Sequence, residues 1–318
     1  MTQQMTVILG PGQGAQRVGM GAAWAAASPA AKAVFNRADE LLGDRLGASL
    51  SELCFEGPAE HLNRTNISQP AIYTCSVASH AALIESQGMI EIGAAAGLSL
   101  GEYTALHLAG VFDFETGLEL VARRGSLMQE AAESSAGSMV ALMGADEAEA
   151  TKLCESVLAQ LGGDAVLVPA NFNAPGQIVL LGSIVACEAA VAAAEEHGWK
   201  AKQLIVAGAF HSALMAPAAE AMKACLMEVD FLKPIMPVWS NVTAQPHFTD
   251  DLEQMKQSLV EQITHPVRWS QSCRGMIEAG ASMFLELAPG KVLKGLMRRV
   301  DRDVKVTTHD VPSQTPAS

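Results

Sequence analysis

Short apolar runs alternate along the chain with longer stretches in which apolar residues return every three or four positions. Val7 to Gly10 is the first run, and it leads into Gly10-Pro11-Gly12-Gln13-Gly14. That pattern predicts a buried strand delivered into a glycine-rich turn ahead of a helix. Ala94-Ala95-Ala96-Gly97 consists of small residues, which suits a crowded central strand. Ser99-Leu100-Gly101-Glu102 then opens a helix that Gly110 ends, and a second helix is predicted over Asp113 to Glu133.

The middle of the chain reads differently. Strand-like Ser138 to Met143 is followed by a helix over Asp146 to Gln160, then by strands Val166 to Ala170 and Gln177 to Leu181 around the connection Asn171 to Gly176. An alanine-rich helix, Ile184 to His197, and a last strand, Lys202 to Val206, complete the order βαββαβ, the ferredoxin-like pattern. The expectation is an α/β fold whose core domain, 1–132 and 206–308, carries an inserted ferredoxin-like subdomain, 133–205. After the insertion come a helix over Ser212 to Val229, strand Val238 to Asn241, helix Leu252 to Ile263, strand Met283 to Leu287 and helix Val292 to Val300. Residues 309–318, rich in Pro, Ser and Thr, are expected to be a disordered tail.

Composition narrows the classes. The 318 residues, 49% of them hydrophobic, suffice for a large core. The longest apolar stretches, such as Ile178 to Leu181, fall far short of the ~20 residues that span a bilayer. Met1 to Thr6 is polar and uncharged, without the basic and apolar regions of a secretion signal, so a cytoplasmic protein is expected. The six cysteines are scattered, with no C-x-x-C and no zinc-ligand spacing, and are read as buried thiols. A net charge of -13 argues against nucleic acid and anionic membrane as partners.

Gly97-Leu98-Ser99-Leu100-Gly101 matches G-x-S-x-G, the nucleophile elbow, in which a sharp strand-to-helix turn exposes the serine oxygen. A plain helix N-cap is the alternative, since serine is a favoured cap. Gly12-Gln13-Gly14 lacks the Lys-Ser/Thr of a P-loop, which discounts nucleotide binding. On a helical wheel Arg124 falls among Gly117, Leu120, Val121, Met128 and Ala131, whereas Arg123 falls among Glu115, Glu119, Ser126 and Glu130. A guanidinium in an apolar face needs an anionic partner, either an internal glutamate or the carboxylate of a ligand.

Taken with Arg124-Gly125, Asn171 to Gly176, Gly208-Ala209-Phe210-His211-Ser212, Gln262 to Trp269 and Pro289 to Leu293, these motifs resemble the malonyl-CoA:acyl-carrier-protein transacylases of fatty-acid and polyketide synthesis over nearly the full length. The resemblance implies a hydrolase-like parallel-sheet core with a ferredoxin-like insertion, malonyl-CoA and an acyl carrier protein as partners, and no metal or other cofactor. It implies Ser99 as the acylated nucleophile and His211 as its general base. The backbone carbonyl of Gln262 would fix the histidine tautomer, backbone N–H groups of Gln13 and Leu100 would form the oxyanion hole, and Arg124 would hold the malonyl carboxylate. Position alone would make His211 an ordinary core histidine, Gln262 a helix-terminal glutamine and Phe210 plain core. By the same resemblance Phe210 limits the α-position of the acyl group. Leu98 stands where the family usually has histidine, next to the acyl pocket. Carrier proteins of this kind are acidic, so Lys291, Lys294, Arg298 and Arg299 are docking candidates or simply a solvated face. A serine esterase sharing G-x-S-x-G, and a catalytically silent carrier-protein-binding subunit, are the alternatives from other classes.

Overall fold

The computed structural model describes residues 5–135, 137–204, 208–247 and 250–312. Strand β1 (Met5–Gly10) is separated from β2 (Ala94–Gly97) by helices α1 (Ala22–Ala27), α2 (Pro29–Leu42), α3 (Leu50–Phe55), α4 (Ala59–Leu62) and α5 (Thr65–Gln87). Helices α6 (Leu100–Leu108) and α7 (Phe114–Ser134) follow. Then come β3 (Gly137–Met143), α8 (Glu147–Leu161), β4 (Leu167–Ala174), β5 (Gln177–Ser183), α9 (Ile184–Glu196) and β6 (Lys200–Leu204). The chain continues through α10 (Ala216–Met227), β7 (Val238–Trp239), α11 (Leu252–Thr264), α12 (Trp269–Glu278), β8 (Ala281–Leu287), α13 (Val292–Val300) and β9 (Lys305–His309).

The first sheet has the order β7-β2-β1-β8-β9, with every pairing parallel. Its central strands are buried on both faces, as a parallel sheet covered by helices requires. Ile8 and Ala95 face the core built around α5 and α7, while Val7, Leu9, Ala94 and Ala96 face a second core with Trp269, Phe284 and Leu293. β1 and β2 pair in register from Val7↔Ala94 to Gly10↔Gly97, so the glycine turn and Ser99 emerge side by side at the carboxyl ends of neighbouring strands. In open α/β sheets that edge is where ligands bind.

The second sheet is antiparallel, order β4-β5-β3-β6, which is the ferredoxin-like arrangement. Helices α8 and α9 cover one face through Leu153, Val157, Ala186 and Ala190 against Val140, Leu142, Ile178 and Leu180. The alternate residues Met139 and Val179 turn toward the larger core. A bridge between Asn171 and Val267, with Phe172 N–H donating to Val267 O and Val267 N–H to Ala170 O, ties this sheet to the rest of the molecule.

Several expected boundaries move. Asn171 to Ala174 belongs to β4, bent by register shifts, and only Pro175-Gly176 lies between the strands. The helix expected from Ser212 begins as a tight turn at Ala213 and becomes α-helical at Ala216, where Pro217 takes a first-turn position that needs no N–H. The strand expected over Val238 to Asn241 ends at Trp239, because the Asn241 side chain bonds the Ser99 turn. Residues 309–312 depart from the expected disordered tail. His309 closes β9 and accepts a hydrogen bond from the Trp24 indole, and Asp310 meets both Arg17 and the N–H of Gly290. The remainder, 313–318, lies outside the described residues, as do residues 205 and 206 of the expected strand and the first residues of the polar N-terminus.

Candidate active site

Ser99 sits on the turn between β2 and α6 with φ 53° and ψ -104°, a backbone conformation that residues other than glycine rarely adopt. The surroundings enforce it. A Cβ on Gly97 would collide with the Gly101 carbonyl, so the elbow closes only between glycines. The Asn241 amide clamps the turn, accepting from Ser99 N–H at 2.6 Å and donating to Gly97 O at 2.7 Å. A Cβ on Gly12 would likewise meet the Leu98 carbonyl, which shows how closely the glycine turn lies against the elbow.

His211 also has a positive φ, 64°, and its Nε2 lies 2.9 Å from Ser99 Oγ. Its Nδ1–H donates to the Gln262 main-chain carbonyl at 2.6 Å, which leaves the Nε2 lone pair facing the serine. An esterase of the hydrolase fold would place a carboxylate on that nitrogen. Burial, and then the Arg124 charge, push the His211 pKa down to about 4, with the Gln262 carbonyl opposing. The ring is therefore a neutral acceptor at physiological pH.

Arg124, on α7, is 1% exposed. Its Nη1 donates to Gln69 Oε1 at 2.7 Å, and its Nη2 to Gln262 Oε1 at 2.8 Å and Ser99 Oγ at 3.0 Å. The Tyr103 ring lies 5.5 Å from the guanidinium carbon, and Arg124 Nε has no hydrogen-bond partner. Among the described residues no carboxylate touches it, and burial draws its pKa below the usual guanidinium value. Arg123, by contrast, is exposed and pairs with Glu119 at 2.9 Å.

Gln13, Leu98, Ser99, Arg124, Phe210 and His211 all line one cavity of about 770 Å³. Gln13 is anchored through Nε2 to Thr65 Oγ1 at 3.1 Å. Leu100 is fully buried as the first residue of α6, where a helical N–H lacks an intrahelical acceptor. The inserted sheet walls the cavity with Met139, Asn171, Asn173 and Val179, so its second face contributes to the site. Lys291, Lys294, Arg298 and Arg299 are exposed on and beside α13, and Arg298, Arg299 and Arg302 line a separate cleft with Gln177. Among the described residues no cluster of His, Cys, Asp or Glu could hold a metal ion.

Sequence reasoning missed Gln69, Asn241, Glu102 and His247. The signal available for the first was a set of small or neutral polar residues, Ser68, Gln69, Thr74, Ser76 and Ser79, interspersed with apolar ones and without charge in the middle of a long helix. For Glu102 it was a carboxylate in the first turn of a helix buried on every side.

Fold and site together define an α/β acyltransferase with a serine at its nucleophile elbow. A family described as "Acyl transferase domain" matches residues 7–314, and the chain belongs to that family. It is 42% identical over 296 residues to the malonyl CoA-acyl carrier protein transacylase of Bacillus subtilis, covering 93% of this chain and 90% of that protein. The Escherichia coli K12 protein of the same name is 40% identical over 309 residues, covering 97% and 96%. One chain of a solved complex between a type II polyketide-synthase acyl-carrier protein and its malonyl-transacylase superposes with TM-score 0.90 at 35% identity, covering 98% of this chain and 97% of that one.

Proposed function

We propose that the chain transfers malonyl from malonyl-CoA to the phosphopantetheine thiol of an acyl carrier protein by a ping-pong route through malonyl-Ser99. The observation that carries this is Arg124, a buried guanidinium with neutral partners only, donating directly to the serine oxygen. A malonyl group has its carboxylate two bonds from its thioester carbonyl. A carbonyl poised over Ser99 therefore puts that carboxylate within reach of Arg124, where two parallel N–H···O bonds suit it.

The steps follow from the geometry. Ser99 Oγ attacks the thioester carbon as His211 Nε2 takes its proton, and N–H groups of Gln13 and Leu100 receive the developing oxyanion. The intermediate collapses, His211 returns the proton to the coenzyme A sulfur, and malonyl stays on Ser99. The carrier-protein thiol then repeats the sequence in reverse roles, losing its proton to His211 and taking the malonyl group, as His211 returns that proton to the departing Ser99 Oγ. Phe210 and Leu98 bound the acyl group beside the reacting carbon.

The core, 1–132 and 206–308, supplies nucleophile and base, and the insertion, 133–205, supplies a wall of the pocket. The basic residues of α13, Lys291, Lys294, Arg298 and Arg299, offer an acidic carrier protein a local attraction on a chain of net charge -13. No described helix is long and apolar enough to cross a membrane. All six cysteines are free thiols, which supports a cytoplasmic setting.

Intact mass after mixing with malonyl-CoA tests the proposal. One malonyl adduct should map to Ser99, leave rapidly with carrier protein and leave slowly with water. Rapid loss to water with no transfer would make the protein a hydrolase, and no adduct at all would make it a silent binding subunit.

A further inference from the structure

Glu102 is fully buried on α6, one turn from the nucleophile, and each of its contacts is a donor. Its Oε1 accepts from His247 Nε2 at 2.6 Å, and its Oε2 accepts from Gln262 Nε2 at 2.6 Å and from the main-chain N–H of Asn241 at 3.1 Å. His247 is itself 6% exposed and is placed by its N–H bond to Val238 O in β7. The arrangement has no part in the proton transfers above.

Its effect runs through Gln262. A guanidinium only donates and a carboxylate only accepts, so an amide between them has one workable orientation. Gln262 turns Nε2 to Glu102 and to Ser99 O, 3.0 Å away, and this leaves Oε1 facing Arg124 Nη2 at 2.8 Å. The Gln262 main chain is held separately by α11, so the bond from His211 to its carbonyl does not depend on the side chain. The Glu102 charge also acts on Arg124, opposing the effect of burial on its pKa.

We propose that Glu102, steadied by His247, is a positioning residue that sets selectivity for acyl groups bearing a free carboxylate, by fixing the Gln262 amide that aims Arg124. This rests on the reading that Arg124 holds the malonyl carboxylate. Without Glu102 the amide is held on its nitrogen side by Ser99 O alone. The guanidinium then loses a fixed acceptor, whereas the Ser99–His211 pair keeps its own.

The quantity to measure is the ratio of kcat/KM for malonyl-CoA to that for acetyl-CoA, which a loss of overall stability would not move. Glu102→Ala is expected to lower it about tenfold or more, and Glu102→Gln, which still offers an acceptor to Gln262, to keep it within about threefold of wild type. An unchanged ratio in Glu102→Ala, or an equal collapse in Glu102→Gln, overturns the proposal. Should Glu102→Ala not fold, His247→Ala reads the same relay. A ratio lowered about threefold supports it, and an unchanged ratio overturns it. Arg124→Ala separates the two readings. A ratio unmoved by Arg124→Ala removes the carboxylate assignment itself, whereas a ratio that falls there and not in Glu102→Ala removes only the role of Glu102. Combining both substitutions should lower the ratio no further than Arg124→Ala alone.

Discussion

At the scale of single residues, the neighbouring arginines make the sharpest comparison. Removing one partner of a buried ion pair typically costs ~3–5 kcal/mol, so Arg124→Ala should lower malonyl transfer by ~10²-fold or more and acetyl transfer much less. Arg123→Ala should stay near wild type, because its exposed pair with Glu119 is worth only ~0–1 kcal/mol. Equal losses for both acyl groups in Arg124→Ala would mark it as structural. The same guanidinium also shapes the pH profile. With His211 as the proposed base, which must be neutral to act, kcat/KM should hold through neutrality and fall as pH drops through about 4. Arg124→Gln removes a charge that pushes the histidine down, so the acid limb for acetyl-CoA should move upward, toward the ordinary histidine value. An acid limb that stays in place would show that burial alone sets it. The glycines, Ser99 and the lone apolar-face arginine were legible because motif and periodicity mark them, and His211 through the family resemblance. Glu102 was not, since its bonds reach Asn241 and His247 across 139 and 145 positions of chain, and no local pattern encodes such pairings. Gln262 was legible through its carbonyl only. Its side chain bonds Arg124, Ser99 and Glu102, so Gln262→Ala should depress malonyl transfer beyond what a purely main-chain role would allow, as steady-state kinetics will show.

At the scale of elements, the strongly periodic helices and the βαββαβ order could be read directly, while short or polar elements could not. β9, Lys305–His309, alternates charged, apolar and hydroxyl residues and becomes a strand through pairing with β8. The segment anticipated as tail therefore bears on stability. Truncation after Thr308 removes the carbonyl that receives the Trp24 indole and the carboxylate that joins Arg17 to Gly290, and it should lower the melting temperature. An unchanged melting curve would show those bonds to be energetically idle. Helix α13 depends on bonds from the strand just before it. Glu286 in β8 accepts from the N–H groups of Leu293 and Lys294 at 2.7 and 2.8 Å, satisfying donors at the helix start. Glu286→Ala should cost ~1–2 kcal/mol, which for a protein of this size is a fall of a few degrees in calorimetry.

At the scale of the whole molecule, a chain of net charge -13 must meet an acidic carrier protein against a general repulsion, so its basic residues matter by where they cluster. Arg298→Glu with Arg299→Glu should raise KM for carrier protein by about tenfold or more, and should flatten the rise of that KM with salt expected of the wild type. An unchanged KM would move docking off α13. Two residues of catalytic geometry also come from distant parts of the chain, Ser99 after β2 and Gln262 at the end of α11, so the site is complete only when the parallel core has closed.

The partner of His211 Nδ1 is a main-chain oxygen, and that has a consequence for inheritance. Every amino acid carries that carbonyl, so a missense change at position 262 does not remove the oxygen, and only proline, which would break α11, displaces it from within the residue itself. A lineage can lose the nucleophile or the base by a single missense change, but it can lose the base's anchor only by moving the end of a helix. Under the proposed roles, the orientation of the ring is insensitive to most side-chain changes at 262, and that side chain is left free to bear on which acyl group is carried.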